Sequence, residues 1–173
     1  MYARDISRKI RSALLTRMED GSYIGNFAPY GYEAVGRKHR HLLPDPETAP
    51  IVAFLFQRAC SGCLPSALAE ELNDRQILCP SRYRLLKHPG TGAAPRGKGL
   101  WTANTIIKLL HNPVYMGDMV QGKTKKISFK SSVCQTVPPK KRIVVRHTHP
   151  PIVSEDDFML CQQQLESRRT RRH

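Results

Sequence analysis

Apolar side chains recur along residues 3 to 19 as Ile6, Ile10, Leu14 and Met18, with Ala3 and Ala13 beside them. At about 100° per residue these positions share one broad face, so the spacing predicts a helix with a core side. Arg4, Arg8 and Arg11 fall on its opposite side, and Asp20-Gly21 ends it. Residues 22 to 44 change character: Gly25, Pro29, Gly31 and Gly36 punctuate Tyr23, Phe27, Tyr30 and Tyr32, which predicts turns and short strands. A second helix is expected from Thr48 to Cys60 with Ile51, Val52, Leu55 and Phe56 inward. A third is expected from Pro65, in its first turn, to Asn73, burying Ala67, Leu68 and Leu72. From 79 to 100, three prolines and four glycines lie among Arg82, Arg84, Lys87, Arg96 and Lys98, and this stretch reads as a flexible basic loop. Pro80 and Pro95 stand near its two ends and Pro89 beside Gly90, so no long helix fits.

A short helix follows from Thr102 to His111, capped by Thr102 and stopped by Asn112-Pro113. With Thr102 at zero, Leu109, Ile106, Leu110 and Ile107 lie at about 340°, 40°, 80° and 140° around its axis. Asn104, Thr105, Lys108 and His111 occupy the other half, which carries an amide, a hydroxyl, an ammonium and an imidazole but no acid. Residues 114 to 121 then read as a strand, Gly122 opens a basic hairpin or wing, and Ile143 to Val145 forms another strand. Ser154 with Asp157 resembles a capping box that opens a last helix with Phe158, Cys161 and Leu165 inward. The expected fold class is α+β: a mainly helical domain with a helix-turn-helix-like core, a small sheet and a basic wing.

Charge sharpens the picture. The 173 residues carry 28 Lys and Arg against 14 Asp and Glu, a net charge of +14. Residues 81 to 130 alone hold ten basic side chains with Asp118 as the single acid. A solvated surface normally mixes signs, so a one-sided stretch of this length points to a polyanion, nucleic acid first. Gly, Pro and Ser in that stretch argue against the amphipathic helix that a membrane surface selects. The longest strongly apolar run, Ile51 to Phe56, is far below the roughly 20 residues of a membrane span, and the N-terminus shows no apolar signal segment. A cytoplasmic location is the expectation. Five cysteines, an odd number, make a poor disulfide framework, and Cys60-Ser61-Gly62-Cys63 is half a zinc site without a second half. No metal or other cofactor is expected.

Three motifs, in order, support a family. Ile6-Ser7-Arg8-Lys9-Ile10-Arg11-Ser12, Gly25-Asn26-Phe27-Ala28-Pro29-Tyr30-Gly31-Tyr32, and Asn112-Pro113-Val114-Tyr115-Met116-Gly117 running into Gln121-Gly122-Lys123-Thr124 together resemble the recombinase domain of the large serine recombinases. The resemblance covers nearly the whole chain. It implies a domain that binds the outer part of a double-stranded DNA attachment half-site, between a serine catalytic domain and a C-terminal zinc ribbon, in a protein that oligomerises on DNA. It implies further that residues 1–21 are the end of a linker helix from the catalytic domain, 22–167 the DNA-binding domain, and 168–173 a basic tail toward the ribbon. Both neighbouring modules are expected to lie outside this sequence. Tyr2-Ala3-Arg4-Asp5-Ile6-Ser7 is only superficially like the motif around the family's nucleophile. It has one residue too many between Arg and Ser, and a serine without positioned activating groups is a poor nucleophile, so no catalytic residue is assigned.

On this reading Asn104, Thr105, Lys108 and His111 face a major groove, where side chains of these types bind base edges and phosphate. Arg82, Arg84, Lys98, Lys123, Lys125, Lys126 and Lys130 clamp phosphates, and Arg4, Arg8 and Arg11 track the backbone. Two rivals compete with it. An RNA-binding module would want exposed aromatics, offered here only between Tyr23 and Tyr32. A metal-dependent nuclease would use His147 and His149 with Glu155, Asp156 or Asp157, acids that fit better as the first turn of a helix, where negative charge favours the dipole.

Overall fold

The structure, a computed structural model, describes residues 2–90, 98–127 and 133–170, with the side chains of 2–4 and 168–170 outside the description. Lys130, the side chain of Arg4, the loop residues 91–97 and the arginines of the tail therefore lie outside the described residues. The elements run α1 (Tyr2–Glu19), β1 (Tyr32–Val35), β2 (His41–Pro44), α2 (Ala49–Cys60), α3 (Pro65–Asp74), α4 (Pro80–Lys87) and α5 (Ala103–Leu110). After a 3-10 turn at Pro113–Met116 come β3 (Met119–Gln121), β4 (Thr124–Lys126), β5 (Cys134–Thr136), β6 (Ile143–Val145) and α6 (Glu155–Thr170). The fold is α+β. Its strands form three separate antiparallel pairs: β1 with β2, β3 with β6 and β4 with β5.

The core is helical. α2 packs on α6 and α3 on α5, and these four helices bury Leu55, Phe56, Leu68, Leu72, Ile106, Leu110 and Cys161. Proline stands in the first turn of α2, α3 and α4, where no backbone N–H is needed inside the helix and the fixed φ favours entry. α5 and α6 begin on side-chain caps. Thr102 Oγ1 accepts from Thr105 N at 3.2 Å, and Ser154 Oγ accepts from Asp157 N at 3.1 Å while donating to the Asp157 carboxylate at 2.7 Å.

Four details differ from the expectations drawn from pattern alone. The apolar stripe of α1 is not part of this core: Ile6, Ile10, Leu14 and Leu15 are exposed, and the helix meets the body only near its C-terminal end, beside β6. Residues 80–87, read as loop, form α4. Residues 114–116, read as the start of a strand, form with Pro113 a 3-10 turn, because Asn112 Oδ1 accepts from Val114 N and Gly117 closes the turn at φ +95°. Ala67 and Ile107 are exposed, and the buried sides of their helices are completed by Ala69 and Leu109.

The residues of the second and third motifs meet in the interior. Gly31 adopts φ +95°, and a Cβ there would lie 2.8 Å from Val52 Cγ2, so the Pro29–Tyr32 turn needs glycine on both counts. Its N–H donates to Thr48 Oγ1, whose hydroxyl donates to Asp45. Tyr115 donates to Tyr30 O at 2.7 Å, and the Tyr32 hydroxyl donates between Val114 O and Pro150 O. His149 stands edge-on to Tyr32, with Nε2 2.7 Å from Val114 O and Nδ1 2.7 Å from Thr148 Oγ1. A carbonyl accepts only, so Nε2 carries the proton and Nδ1 accepts from the threonine.

Burial pushes the His149 imidazolium pKa down, against smaller upward effects of Val114 O and Asp118. The unfolded chain therefore binds this proton more readily than the folded one. The stability is present above the unfolded value near 6.5 and is lost as pH falls through the folded value. The urea midpoint of the wild type should accordingly drop between pH 7.5 and 5.5 more steeply than that of His149→Gln; parallel pH profiles would remove His149 from this role.

Candidate nucleic-acid interface

Two hollows share one wall, and that wall is Lys108 of α5. The larger, about 840 Å³, opens between the 26–34 segment and α4. The smaller, about 410 Å³, opens between the end of α5, the β3–β4 turn and the residues before β6. Together they make one concave strip across α5, reached by side chains from stretches far apart in sequence.

The larger hollow is cationic, but most of its cations are already engaged. Arg40 donates to Gly25 O at 2.6 Å and lies over the Tyr23 ring. Arg84 stacks on Phe27 with its guanidinium carbon 5.1 Å from the ring centre, and His88 meets the same ring. Lys87 pairs with Glu47 at 3.3 Å and covers Tyr83. Tyr83 in turn donates to Asp45 at 2.6 Å and to Glu47 at 2.8 Å, which ties α4 to the start of α2. Burial and these two carboxylates raise the Tyr83 phenol far above its ordinary value, so it remains a donor. Hydrogen bonds from Thr48 and Tyr83, together with Lys87, keep Asp45 ionised below the usual carboxylate range against the opposing effect of desolvation.

The smaller hollow differs: Lys108, His111, Lys123 and Arg142 line it and no acid does. Among the described residues, none of Lys108, Lys123 and Arg142 forms an ion pair. Lys108 is exposed, as is Asn104 one turn earlier. His111 is held by α6. Gln162 donates through Nε2 to Leu110 O at 2.8 Å, which turns its Oε1 toward His111 Nδ1. His111 thus donates from Nδ1, and Nε2 of the neutral ring is left as an acceptor.

The structure brings Arg84, Lys108, His111 and Lys123 of the sequence-derived set onto this strip. Asn104 and Thr105 lie on α5 beside it, with Thr105 Oγ1 bonded to Thr102 Oγ1 at 3.0 Å. Lys125 and Lys126 project from the exposed β4–β5 hairpin, whose root is Lys123. Arg82 lies against Gly99 on another side of α4, near the exposed Lys98. Arg8, paired with Asp5 at 3.4 Å, and Arg11 are exposed on α1 and line neither hollow. Arg142, Arg40, Lys87 and His88 went unassigned from sequence. Charge alone marked 81–130, and only the packing of β3 on β6 carries Arg142 to that region.

The nuclease set is not assembled. Both ring nitrogens of His149 are taken by Thr148 and Val114, and among the described residues no three His, Cys, Asp or Glu side chains group to hold a metal ion. No helix of the described residues is long and apolar enough to cross a membrane.

A family model named Recombinase matches residues 46–168, well over half of the sequence. The chain belongs to the Recombinase family. This agrees with the resemblance to the recombinase domain of the large serine recombinases read from its motifs. The member's fold matches a crystal structure of an LSR–DNA complex with a TM-score of 0.53 at 17% identity, over 92% of this chain and 38% of that one. It also matches, with a TM-score of 0.55 at 16% identity, a structure concerned with the sequence requirements of the Listeria innocua prophage attP site, over 91% of this chain and 51% of that one. An uncharacterized protein, YefB of Bacillus subtilis (strain 168), is 32% identical over 72 residues, which are 42% of this chain and 24% of that protein. This recombinase-family chain thus spans about a quarter to a half of the length of the proteins it matches.

The Gln162 anchor gives a direct check. Long-range 1H–15N NMR should find the neutral His111 ring protonated at Nδ1, and Gln162→Leu should abolish that preference; an Nε2-protonated ring in the wild type would contradict the geometry.

Proposed function

We propose that this chain is the double-stranded DNA-binding domain of a site-specific serine recombinase and positions attachment-site DNA for strand exchange during integration or excision of a mobile element. The observation that carries the reading is the concave strip over α5, cationic on both sides of Lys108 and free of acids at its Lys123 end. Opposite-sign pairs neutralise most cations on an ordinary protein surface, whereas a polyanion supplies its own counter-charge. The DNA content of the two solved relatives, an LSR–DNA complex and an attP study, supports the same partner.

In this reading α5 lies along a major groove with Asn104 toward base edges, its amide able to pair both edge atoms of adenine. Lys108, Lys123, Lys125, Lys126 and Arg84 neutralise phosphates on either side, Lys130 extends the hairpin's reach, and Arg82 and Lys98 hold a flank. α1, with Arg4, Arg8 and Arg11, leads toward a catalytic domain that cuts and rejoins the strands, the basic tail leads toward a zinc ribbon, and the full-length protein oligomerises on DNA. The RNA alternative is disfavoured because Tyr32 and Tyr115 are buried, Tyr30 packs against Tyr83 and Trp101, and Arg40 and Arg84 lie over the Tyr23 and Phe27 rings.

Six phosphate contacts give a log-log salt slope of about −5 for duplex binding. Asn104→Ala should flatten the preference for a selected duplex over a scrambled one, while Lys126→Ala should weaken both alike. A salt-independent affinity, or the same loss on both duplexes for the two variants, would overturn the reading.

A further inference from the structure

The smaller hollow contains an arrangement that costs free energy in the unbound protein. Lys123 sits at the root of the β4–β5 hairpin, where its carbonyl accepts from Val137 N at 2.9 Å. Val137 O in turn accepts from Arg142 Nε at 3.0 Å. This backbone relay fixes Arg142 beside Lys123, two like charges in one cleft. Lys108 and His111 face the same cleft from α5, Pro139 and Val144 complete its walls, and no carboxylate lines it. The Lys123 ammonium is held below the ordinary lysine value, first by desolvation and then by the Arg142 guanidinium. Among the described residues the terminal nitrogens of Arg142 find no protein acceptor.

Two cations brought together, partly desolvated and without an acid, are stabilised by one thing the chain does not provide: an anion between them. The fork of half-buried Arg142 supplies donors in a plane, and exposed Lys123 supplies a point charge at the cleft mouth. A macromolecular surface serving only for long-range steering would spread its charges instead, since separation lowers their mutual repulsion.

We infer that Lys123 and Arg142 form a dedicated seat for one phosphodiester group, bordered by Lys108 and His111, which pins the root of the hairpin to the nucleic-acid backbone. The inference rests on the proposed DNA-binding function and adds a site to it. Arg142 is a positioning residue of the interface, because one seated phosphate fixes where α5 and the hairpin stand along the duplex. Seating the anion relieves the repulsion, so Lys123 should hold its proton more tightly in the complex than in the free protein.

The test uses the full chain and Arg142→Gln, with urea denaturation to show equal folding of the two. Duplexes bearing a single neutral methylphosphonate, moved one position at a time, are titrated against both proteins. One position should weaken wild-type binding about tenfold or more, the scale of a charged hydrogen bond, and have no further effect on Arg142→Gln. In parallel, the Cε resonance of Lys123 is followed by 13C NMR. Its titration midpoint should rise when inorganic phosphate or duplex is added to the wild type, and show no such response in Arg142→Gln. If duplex binds but every methylphosphonate position affects the two proteins equally and Lys123 does not respond, the seat is wrong while the DNA reading stands. If inorganic phosphate shifts Lys123 and duplex does not bind at any salt concentration, the seat stands and the proposed function falls.

Discussion

The shared hydrogen bond of the Tyr32 hydroxyl, to Val114 O and Pro150 O, is the constraint on which the rest of the molecule depends. It joins three stretches at one atom, and Tyr115 and His149 tie the same stretches again: the turn at the start of β1, the 3-10 turn after α5, and the loop before α6. A buried phenol left without an acceptor would cost about 1–3 kcal/mol, so the alternatives are disfavoured. With those stretches fixed, His149, Tyr115 and Gly31 pack as the motif requires, and the C-terminal end of α5 is held between the turn and α6. The exposed face of α5 inherits its orientation from this interior.

From there the interface follows by short steps. α6 reaches back through Gln162 to Leu110 and His111, and β3 pairs with β6, so the residues leaving α5 return beside it. Gln121 reinforces the arrangement: buried, it accepts from Ile24 N and donates to Ser22 O, which ties the segment after α1 to β3. The β4–β5 hairpin therefore emerges at a defined place relative to Lys108. The two hollows differ in how they use charge. Around Arg84 and Lys87 the cations are partnered by rings and by Glu47 and fix the local structure; around Lys123 and Arg142 they await a counter-charge from outside.

Local chemistry made much of this legible in the sequence. The faces of α2 and α5, the Thr102 and Ser154 caps and the strand at Ile143 depend on neighbours within a few residues, and the chain shows them plainly. α4 was missed because its proline, glycine and lysine neighbourhood resembles loop composition. Its helix is fixed by Tyr83 bonding Asp45 and Glu47, partners more than 35 residues away. The stripe on α1 was read as a core face because periodicity reports that a face is apolar and not what covers it. Arg142 was invisible for a related reason: among Lys140, Lys141 and Arg146 nothing in the sequence distinguishes the one arginine whose Nε is tied to Val137 O.

The central claim is that one face, centred on Lys108 and spanning the two hollows, meets the duplex. Amide and side-chain NMR shifts recorded while duplex DNA is titrated into the 15N-labelled chain test it most directly. The perturbed residues should cluster at Asn104 to His111, Lys123 to Lys126, Arg142 and Arg84, with the outer side of α6 unchanged. Perturbations concentrated on Met159 and Leu160 of α6, with α5 silent, would contradict it.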